Sequence, residues 1–288
     1  MFQKLENSLH LAKECWRVLM LDKELLMFPV LTFFTTMLTY AGIGYVLWQS
    51  GFVDRITQNL NETSQVTIIL FGLMFSFVVL FISHFIMTFF NIALVACAII
   101  RFVGGNPTIG DGLGVSARRM HQILGWSVLV SCVGVILQLI RDKRNGMIGR
   151  FVAGVLGAGW KIATYFVVPV IVAEEKGPFD AVKSSVNVMK KMWGEAAIIN
   201  FALSLLGVPV MFLTVAIVAL CVRGPFSGTG LEVPLISLAV MFAIIATIAL
   251  STMDTIAKAA LYYFATENEV PEGFTHETLD RLITQKTT

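Results

Sequence analysis

Long stretches of apolar residues with almost no charge alternate with short polar stretches along this chain. A helix needs about 20 residues, at 1.5 Å each, to cross about 30 Å of hydrocarbon. The apolar residues run continuously instead of alternating with polar ones, which predicts membrane-spanning helices. Six segments are candidates, and they run over residues 25–49, 66–100, 123–140, 148–173, 197–222 and 233–265.

The sequence therefore predicts an all-α, polytopic membrane protein with a single transmembrane domain over 1–265 and a short cytoplasmic tail at 266–288. The segment 123–140 is marginal in length. The segment 66–100 would form a helix of about 52 Å, which tilting alone does not fit into the bilayer. We expect that segment to kink, or to project past the bilayer under a cover of protein. The segment 233–265 is also longer than a span needs.

Composition supports a lipid environment. The chain has 288 residues, of which 56% are hydrophobic and 14% charged. A soluble domain carries about a quarter of its residues as charges, so lipid replaces water over much of this surface. The net charge of +2 is too small to indicate nucleic-acid binding. Charged residues throughout the first 24 positions predict that no signal peptide is removed.

The distribution of Lys and Arg predicts the orientation. If the N-terminus is in the cytoplasm, 13 of the 21 basic residues fall in inner segments and six in outer ones. The other two, Lys161 and Lys258, lie within spans. Positive charge marks the cytoplasmic side, so we expect both termini in the cytoplasm of a bacterial inner membrane. The basic loop at 141–150 disagrees, because it is predicted outside. Either it is an exception, or the hairpin 123–173 lies shallower than two full spans.

A weak internal repeat follows the second, fourth and sixth spans. Each ends in a short polar stretch and a proline, at Pro107, Pro178 and Pro271, and proline favours the first turn of a new helix. The chain can be divided into three units, 1–100, 101–173 and 174–265, each an interfacial helix followed by a transmembrane pair. The alternative is that any six-span protein has basic cytoplasmic loops that contain helices.

Apolar stripes at helical spacing predict amphipathic helices in the polar stretches. The stripes are Val182, Val186, Met189 and Trp193; Leu113, Ala117, Met120 and Leu124; and Phe2, Leu5, Leu9, Ala12, Trp16 and Leu19. Basic residues beside a Trp-bearing apolar face are typical of helices that lie on an anionic membrane surface. The candidate lipid-facing basic residues are Arg118, Arg119, Lys183, Lys190 and Lys191.

A second set of candidates lies within the spans, where ionisable groups are functional candidates by default. It comprises Asn91, Lys161, Asp254 and Lys258. Asp254 and Lys258 are four residues apart on one helix, which lets them pair. Lys161 and Asp254 both lie about 17 Å from the inner ends of their spans. One interpretation is a polar layer for a substrate or proton path, and the other is a structural ion pair that sets helix register.

The sequence indicates no catalytic, metal-binding or cofactor-binding residues, and we predict that the protein is not an enzyme. The glycine-rich stretch 104–114 lacks the Walker pattern. Cys15, Cys97, Cys132 and Cys221 form no ligand cluster and are predicted to be buried, inert thiols. Pro169 is predicted to kink its helix. Glu174 and Glu175 are expected to point in different directions at the helix exit.

Three stretches carry a resemblance to a known family: AKECWRVLMLDKELLMFPVL near the start, the block WKIATYFVVPVIVAEEKGPFDAVKSSVNVMKKMWGE, and ALYYFATENEVPEGF near the end. They resemble an uncharacterised family of bacterial six-helix membrane proteins. That family is similar in layout to the membrane domain attached to some glycerophosphodiester phosphodiesterases. The resemblance implies an architecture. It implies no activity, because the phosphodiesterase domain has no counterpart in these stretches.

The hypothesis that follows is a non-catalytic inner-membrane protein. It would organise the envelope, or engage anionic lipid, a partner membrane protein or a second copy of itself. The alternative is a transporter or channel that uses the polar layer of Asn91, Lys161 and Asp254. An intramembrane enzyme is a more distant third. Membrane lipids are the expected partners, and no nucleic acid is expected.

Overall fold

The structure, a computed structural model, describes residues 13–51, 64–143, 147–223, 230 and 232–274, and the side chains of 142–148 and 194–206 are not described. Every regular element in these ranges is a helix, which confirms the all-α prediction. The helices are α1 (described over 13–21), α2 (Met27–Gln49), α3 (Gln65–Phe102), α4 (Ile109–Arg118), α5 (Met120–Lys143), α6 (Met147–Ala163), α7 (Val167–Glu174), α8 (Pro178–Arg223) and α9 (Glu232–Glu267). A 3-10 turn at Lys23–Leu26 leads into α2.

Five stretches in the described ranges are long and apolar enough to cross a membrane. They are Lys23–Gln49, Gln65–Phe102, Met120–Arg141, Gly149–Glu174 and Glu232–Glu267. The segment that looked marginal extends on both sides of the predicted 123–140 and is a full-length span. The predicted sixth span, 197–222, lies on α8, of which Gly207–Arg223 is an apolar stretch of its own. The count of six stays a prediction.

The two overlong helices, α3 and α9, are exposed over one part of their length and buried over the other. In α3, no residue before Ile86 is buried, whereas Ile92–Ala98 are all buried. In α9, nearly all the buried residues lie between Thr252 and Phe264. The exposed parts, about 20 residues each, match the thickness of a hydrocarbon core at 1.5 Å per residue. Each helix therefore consists of one bilayer-length part and one part covered by protein, as expected for 66–100.

Pro169 breaks the helix that contains it. Residues 164–166 form a turn between α6 and α7, and Pro169 is the third residue of α7. Proline has no N–H and its ring collides with the carbonyl four residues earlier, here that of Tyr165. The break therefore falls where the proline requires it, and the predicted kink is confirmed. The N–H of Phe166 instead donates to the hydroxyl of Ser185 at 3.0 Å.

Contacts within the chain divide it into two compact units. The first comprises Met1–Pro29, Leu94–Ile109 and Val188–Thr288, and the second comprises Val30–Ala93 and Gly110–Asn187. In the second unit, α5 and α6 form a hairpin in which the rings of Trp126 and Trp160 stack at 6.1 Å. The predicted single transmembrane domain over 1–265 stays a prediction.

The three exits that suggested a repeat share a backbone geometry. A residue with positive φ follows each helix end: Gly104 at 81°, Glu175 at 56° and Asn268 at 57°. A left-handed residue just past a helix satisfies the last carbonyls of that helix. In all three exits a proline comes three residues after the left-handed residue. This common spacing supports the repeat, which otherwise stays a prediction.

The helices after Pro107 and Pro178 bury little of the predicted stripes, of which only Met189 is buried. Ser116 and Ser185 are fully buried, whereas Ala117 and Trp193 are exposed. The hydroxyl of Ser116 donates to the carbonyl of Phe89 at 2.7 Å. Small residues allow close helix packing, and large apolar residues can face lipid instead. Of the N-terminal stripe, Leu19 is buried and Trp16 exposed, and the part from Phe2 to Ala12 lies outside the described residues.

The bond from Phe166 to Ser185 generates a prediction about stability. Substituting Ser185→Ala leaves the buried N–H of Phe166 without this acceptor, and we expect a loss of about 1–3 kcal/mol in the free energy of unfolding. The midpoint of thermal unfolding of the full chain in detergent measures it. Thr247→Ala is the matched control, because the hydroxyl of Thr247 donates only to a carbonyl of its own helix. Equal shifts for the two variants would contradict the assignment.

Candidate functional site

An ion pair in the first unit joins Asp22, just after α1, to Arg101, near the end of α3. Together with Asn106, these residues form what we call the Arg101 cluster. The guanidinium of Arg101 donates from Nε and Nη2 to the two carboxylate oxygens of Asp22. Nη2 also donates to Oδ1 of Asn106 at 3.0 Å. The side chain of Asp22 is only 8% exposed. Such a bidentate pair holds the turn before α2 against the last turn of α3.

The end of the described chain packs beside this cluster. The N–H of Glu272 donates to the carbonyl of Phe102 at 3.0 Å. The ring of Phe102 contacts the rings of Tyr263 and Phe274, with centroids 6.0 and 5.8 Å apart. Gly273 has a φ of 93°, and a Cβ there would lie 2.9 Å from Val18. Only glycine fits this position without displacing α1.

The second unit has its own ion pair, in which the Glu175 side chain is 62% exposed, and we call it and its neighbour the Arg119 cluster: Arg119, Gln122 and Glu175. Arg119, between α4 and α5, donates to the carboxylate of Glu175. The side chain of Arg119 is 15% exposed. The amide of Gln122 donates to the carbonyl of Glu175 at 3.3 Å. The left-handed residue that ends α7 is thus held through both its side chain and its main chain.

The two adjacent glutamates have separate partners. Glu174 pairs with Lys176 at 2.5 Å and accepts from the hydroxyl of Ser184 at 3.2 Å, whereas Glu175 pairs with Arg119. Consecutive residues point in different directions, as predicted for this helix exit. The arrangement is that of a charged helix terminus and not of two carboxylates facing one substrate.

The predicted polar layer is spread over both units. Asp254 and Lys258 pair at 2.5 Å on α9 in the first unit, which confirms the predicted contact. Asn91 and Lys161 belong to the second unit, where Asn91 is partly buried and Lys161 exposed. A layer that joins the four residues stays a prediction.

Asp254 is close enough to α1 to act on Cys15. Burial raises the pKa of the Cys15 thiol well above its ordinary range, and the carboxylates of Glu14 and Asp254 raise it further. Cys15 is therefore a protonated, unreactive thiol at neutral pH, as predicted. Cys97 and Cys221 are also buried. The prediction was wrong for Cys132, which is exposed on α5, because an apolar helix shows no difference in sequence between its lipid-facing and protein-facing sides.

Four of the five candidate lipid-facing basic residues are exposed: Arg118, Lys183, Lys190 and Lys191. Arg119 differs, because its guanidinium is engaged in the Arg119 cluster. Among the residues that the structure describes, no three His, Cys, Asp or Glu side chains are grouped so that they could hold a metal ion. The charged side chains of the described candidates thus form ion pairs or are exposed cations.

Comparison with known proteins assigns the chain to a family. The profile of the Family of unknown function (DUF6159) matches residues 66–272. The chain belongs to this family. No match was found among curated proteins. The DUF6159 match contains the whole Arg119 cluster, and Arg101 and Asn106 as well, whereas Asp22 lies before it. The likeness in layout to the phosphodiesterase-linked membrane domain stays a prediction.

Sequence reasoning missed the Arg101 cluster. Arg101 and Asp22 are 79 residues apart, and in the sequence they stand out only as two charges among others near span ends. The available signal was position: each lies next to the end of a span, and both ends were predicted on the same side. Charges that adjoin two span ends on one side are candidates to pair.

The Arg101 cluster is testable by a double-mutant cycle. Arg101→Gln leaves the carboxylate of Asp22 buried without its cation, and we expect a loss of about 3 kcal/mol in unfolding free energy. Combining it with Asp22→Asn removes that charge, so the double variant should lose less than the sum of the single losses. Reversible unfolding of the detergent-solubilised full chain measures all three.

The exposed Arg118 supplies the control for this cycle, because Arg118→Gln should change stability by less than about 0.5 kcal/mol. Additive losses from the two single substitutions would show that Asp22 and Arg101 do not interact.

Proposed function

We propose that this protein is a non-catalytic integral membrane protein that binds anionic lipid through exposed basic residues at the start of α8. By holding such lipid it organises the envelope around a partner membrane protein or a second copy of itself. The proposed location is a bacterial inner membrane, with both termini in the cytoplasm. The observation that supports this most directly is a pair of large exposed aromatic side chains among the lysines of α8.

The first turns of α8 present cations and an aromatic ring on one face. Phe179 is 76% exposed. Lys183 follows it by four residues and Lys190 by eleven, which at 100° per residue places all three on the same side of the helix. All three are exposed. A lipid surface suits this combination, because the ring enters the headgroup region while the ammonium groups meet phosphates.

The second aromatic side chain lies where the helix changes character. Trp193 is 53% exposed and follows Met192, whose φ of −114° interrupts the helical geometry of α8. Lys191 is exposed just before this kink. The remainder of α8 leads to the apolar stretch Gly207–Arg223. Tryptophan favours the boundary between water and hydrocarbon, so the kink is a suitable entry point into the membrane.

Arg119 is not included in the proposed lipid-binding set. Its ion pair with Glu175 already satisfies part of the guanidinium, and little of the side chain is exposed. Arg118 remains in the set as an exposed cation at the end of α4. The proposal therefore relies on Arg118, Lys183, Lys190 and Lys191.

Charge neutralisation tests this proposal. Each Lys near an anionic surface contributes about 1 kcal/mol, so the triple variant Lys183→Gln, Lys190→Gln and Lys191→Gln should bind phosphatidylglycerol about 100-fold more weakly. The affinity of the full chain in neutral detergent is measured by titration with short-chain phosphatidylglycerol, using native mass spectrometry.

The matched control changes the same three positions to Arg, which keeps the charge and should keep the affinity. Added salt should weaken binding to the parent protein, because exposed charges are screened. Unchanged affinity in the Gln variant would refute the proposed lipid site.

A transporter or channel is the second candidate. It is supported by one observation: Asp254 and Lys258 stay partly exposed and are the only charged residues of α9 between its terminal glutamates, and such groups often line ion pathways. If they do, proteoliposomes should pass protons, and Asp254→Asn should abolish that flux. A pH-sensitive dye inside the vesicles reports it, and Ser251→Ala on the same helix is the control. Flux equal to that of empty vesicles would exclude proton passage.

A further inference from the structure

Residues 271–274 form a tight turn in the first unit, a few residues after α9 has ended. The N–H of Phe274 donates to the carbonyl of Pro271 at 3.1 Å. Gly273, the third residue of the turn, has a φ of 93°. A hydrogen-bonded turn whose third residue has positive φ is of type II, and glycine is favoured at that position. Four consecutive residues therefore give this segment a defined shape of its own.

The 271–274 turn packs against two helices that are distant from each other in the sequence. The N–H of Glu272 donates to the carbonyl of Phe102, the last residue of α3. A carbonyl at that position has no donor within its own helix. The ring of Phe274 contacts that of Phe102, and Gly273 lies against Val18 of α1. Because Phe102, Phe274 and Val18 are all buried, the turn joins the end of α3 to α1 through a protected contact.

The link between α9 and this turn lies on the surface. Helix α9 ends at Glu267, and Glu267, Asn268 and Glu269 are all exposed. Pro271 and Phe274 are buried again. Segments that are attached through exposed backbone open at a lower free energy than the interior of a domain. The turn can therefore detach while α9 stays folded.

The turn contacts both helices beside the ion pair of Asp22 and Arg101. Phe102 is the neighbour of Arg101 in the chain, and the carbonyl of Val18 accepts from the N–H of Asp22 at 3.2 Å. The carboxylate of Glu272 adds an electrostatic attraction to Arg101. The turn and the ion pair thus hold the same two segments together, which are the end of α1 and the end of α3.

Helix α1 presents a basic face when it is held in this way. Val18 and Cys15 are buried on one side of the helix. Lys13, Trp16 and Arg17 are exposed, and at 100° per residue they lie on the opposite side. Detachment of α1 would end the fixed orientation of this basic, Trp-bearing face.

We propose that the 271–274 turn is a latch that holds α1 and the pair of Asp22 and Arg101 on the end of α3, and that its opening releases α1 while the second unit stays folded. This conformational device does not rest on the proposed lipid site, because none of its residues belongs to the basic set on α4 and α8. Opening is a local event, so its effect on hydrogen exchange is confined to the segments that the latch holds.

Hydrogen exchange of the full chain in detergent, measured by mass spectrometry of its peptides, tests the latch. Phe274→Ala removes the buried ring, so residues 13–21 should exchange about tenfold faster. Residues 120–140 of the second unit should keep the exchange rate of the parent protein. Unchanged exchange at 13–21, or equal acceleration at 13–21 and 120–140, would overturn the proposal.

A milder variant and a control accompany this measurement. Phe274→Leu keeps most of the apolar contact and should give an acceleration at 13–21 between that of the parent and that of Phe274→Ala. Thr266→Ala is the matched control, because the hydroxyl of the exposed Thr266 donates only to carbonyls of its own helix. It should leave exchange at 13–21 unchanged. An equal acceleration in Thr266→Ala and Phe274→Leu would contradict the latch.

Two substitutions of Glu272 isolate the main-chain bond to Phe102. Glu272→Gln removes the charge and keeps the N–H. Glu272→Pro removes the N–H as well, at the second position of the turn, where proline is favoured. We expect exchange at 13–21 to be about fivefold faster in the Pro variant than in the Gln variant. Equal rates would show that the turn does not hold α1 through this bond, against the proposal.

Discussion

The hydrocarbon core of a bilayer is about 30 Å thick and supplies no hydrogen-bond partner to backbone or charge. The long helices α3 and α9 each have one part that matches this thickness and one part that is covered by protein. The parts of α3 and α9 that match this thickness carry exposed or half-buried apolar side chains, and burial, apart from Ala239, begins only beyond them. Arg101, Asn91 and Asp254 all lie in the protein-covered parts. The cost of placing polar groups in lipid explains why they occur where protein replaces lipid as the surrounding medium.

The helix exits combine a common backbone with individual side-chain contacts. Gly104, Glu175 and Asn268 all use the left-handed conformation, three residues before a proline. What stabilises each exit differs. The first exit lies beside the bidentate pair of Arg101 and Asp22, and the second is held by Arg119. One backbone conformation for ending a helix is thus used three times, while ion pairs give the first two exits different side-chain partners.

Sequence reasoning succeeded for properties that depend on runs of residues and failed for those that depend on one face of a helix. Continuous apolar stretches predicted the helices, and the chemistry of Pro169 predicted the break before α7. The exposed Cys132 and the buried Ser116 were not predictable in this way, because lipid-facing and protein-facing sides of a membrane helix are both apolar. The pair of Asp22 and Arg101 was missed for another reason: contacts between residues 79 positions apart leave no periodic pattern.

The first unit is made of segments from the beginning, the middle and the end of the chain. This limits the order in which the chain can fold during synthesis. Asp22 and Arg101 are made early, but the segment that packs beside them includes Glu272, whose N–H bonds to Phe102. Domains form as their residues emerge from the ribosome. The second unit, complete by Asn187, can therefore form while the last hundred residues are still being made. The first unit has to wait for α9, so its N-terminal turn stays incompletely packed until translation is nearly finished.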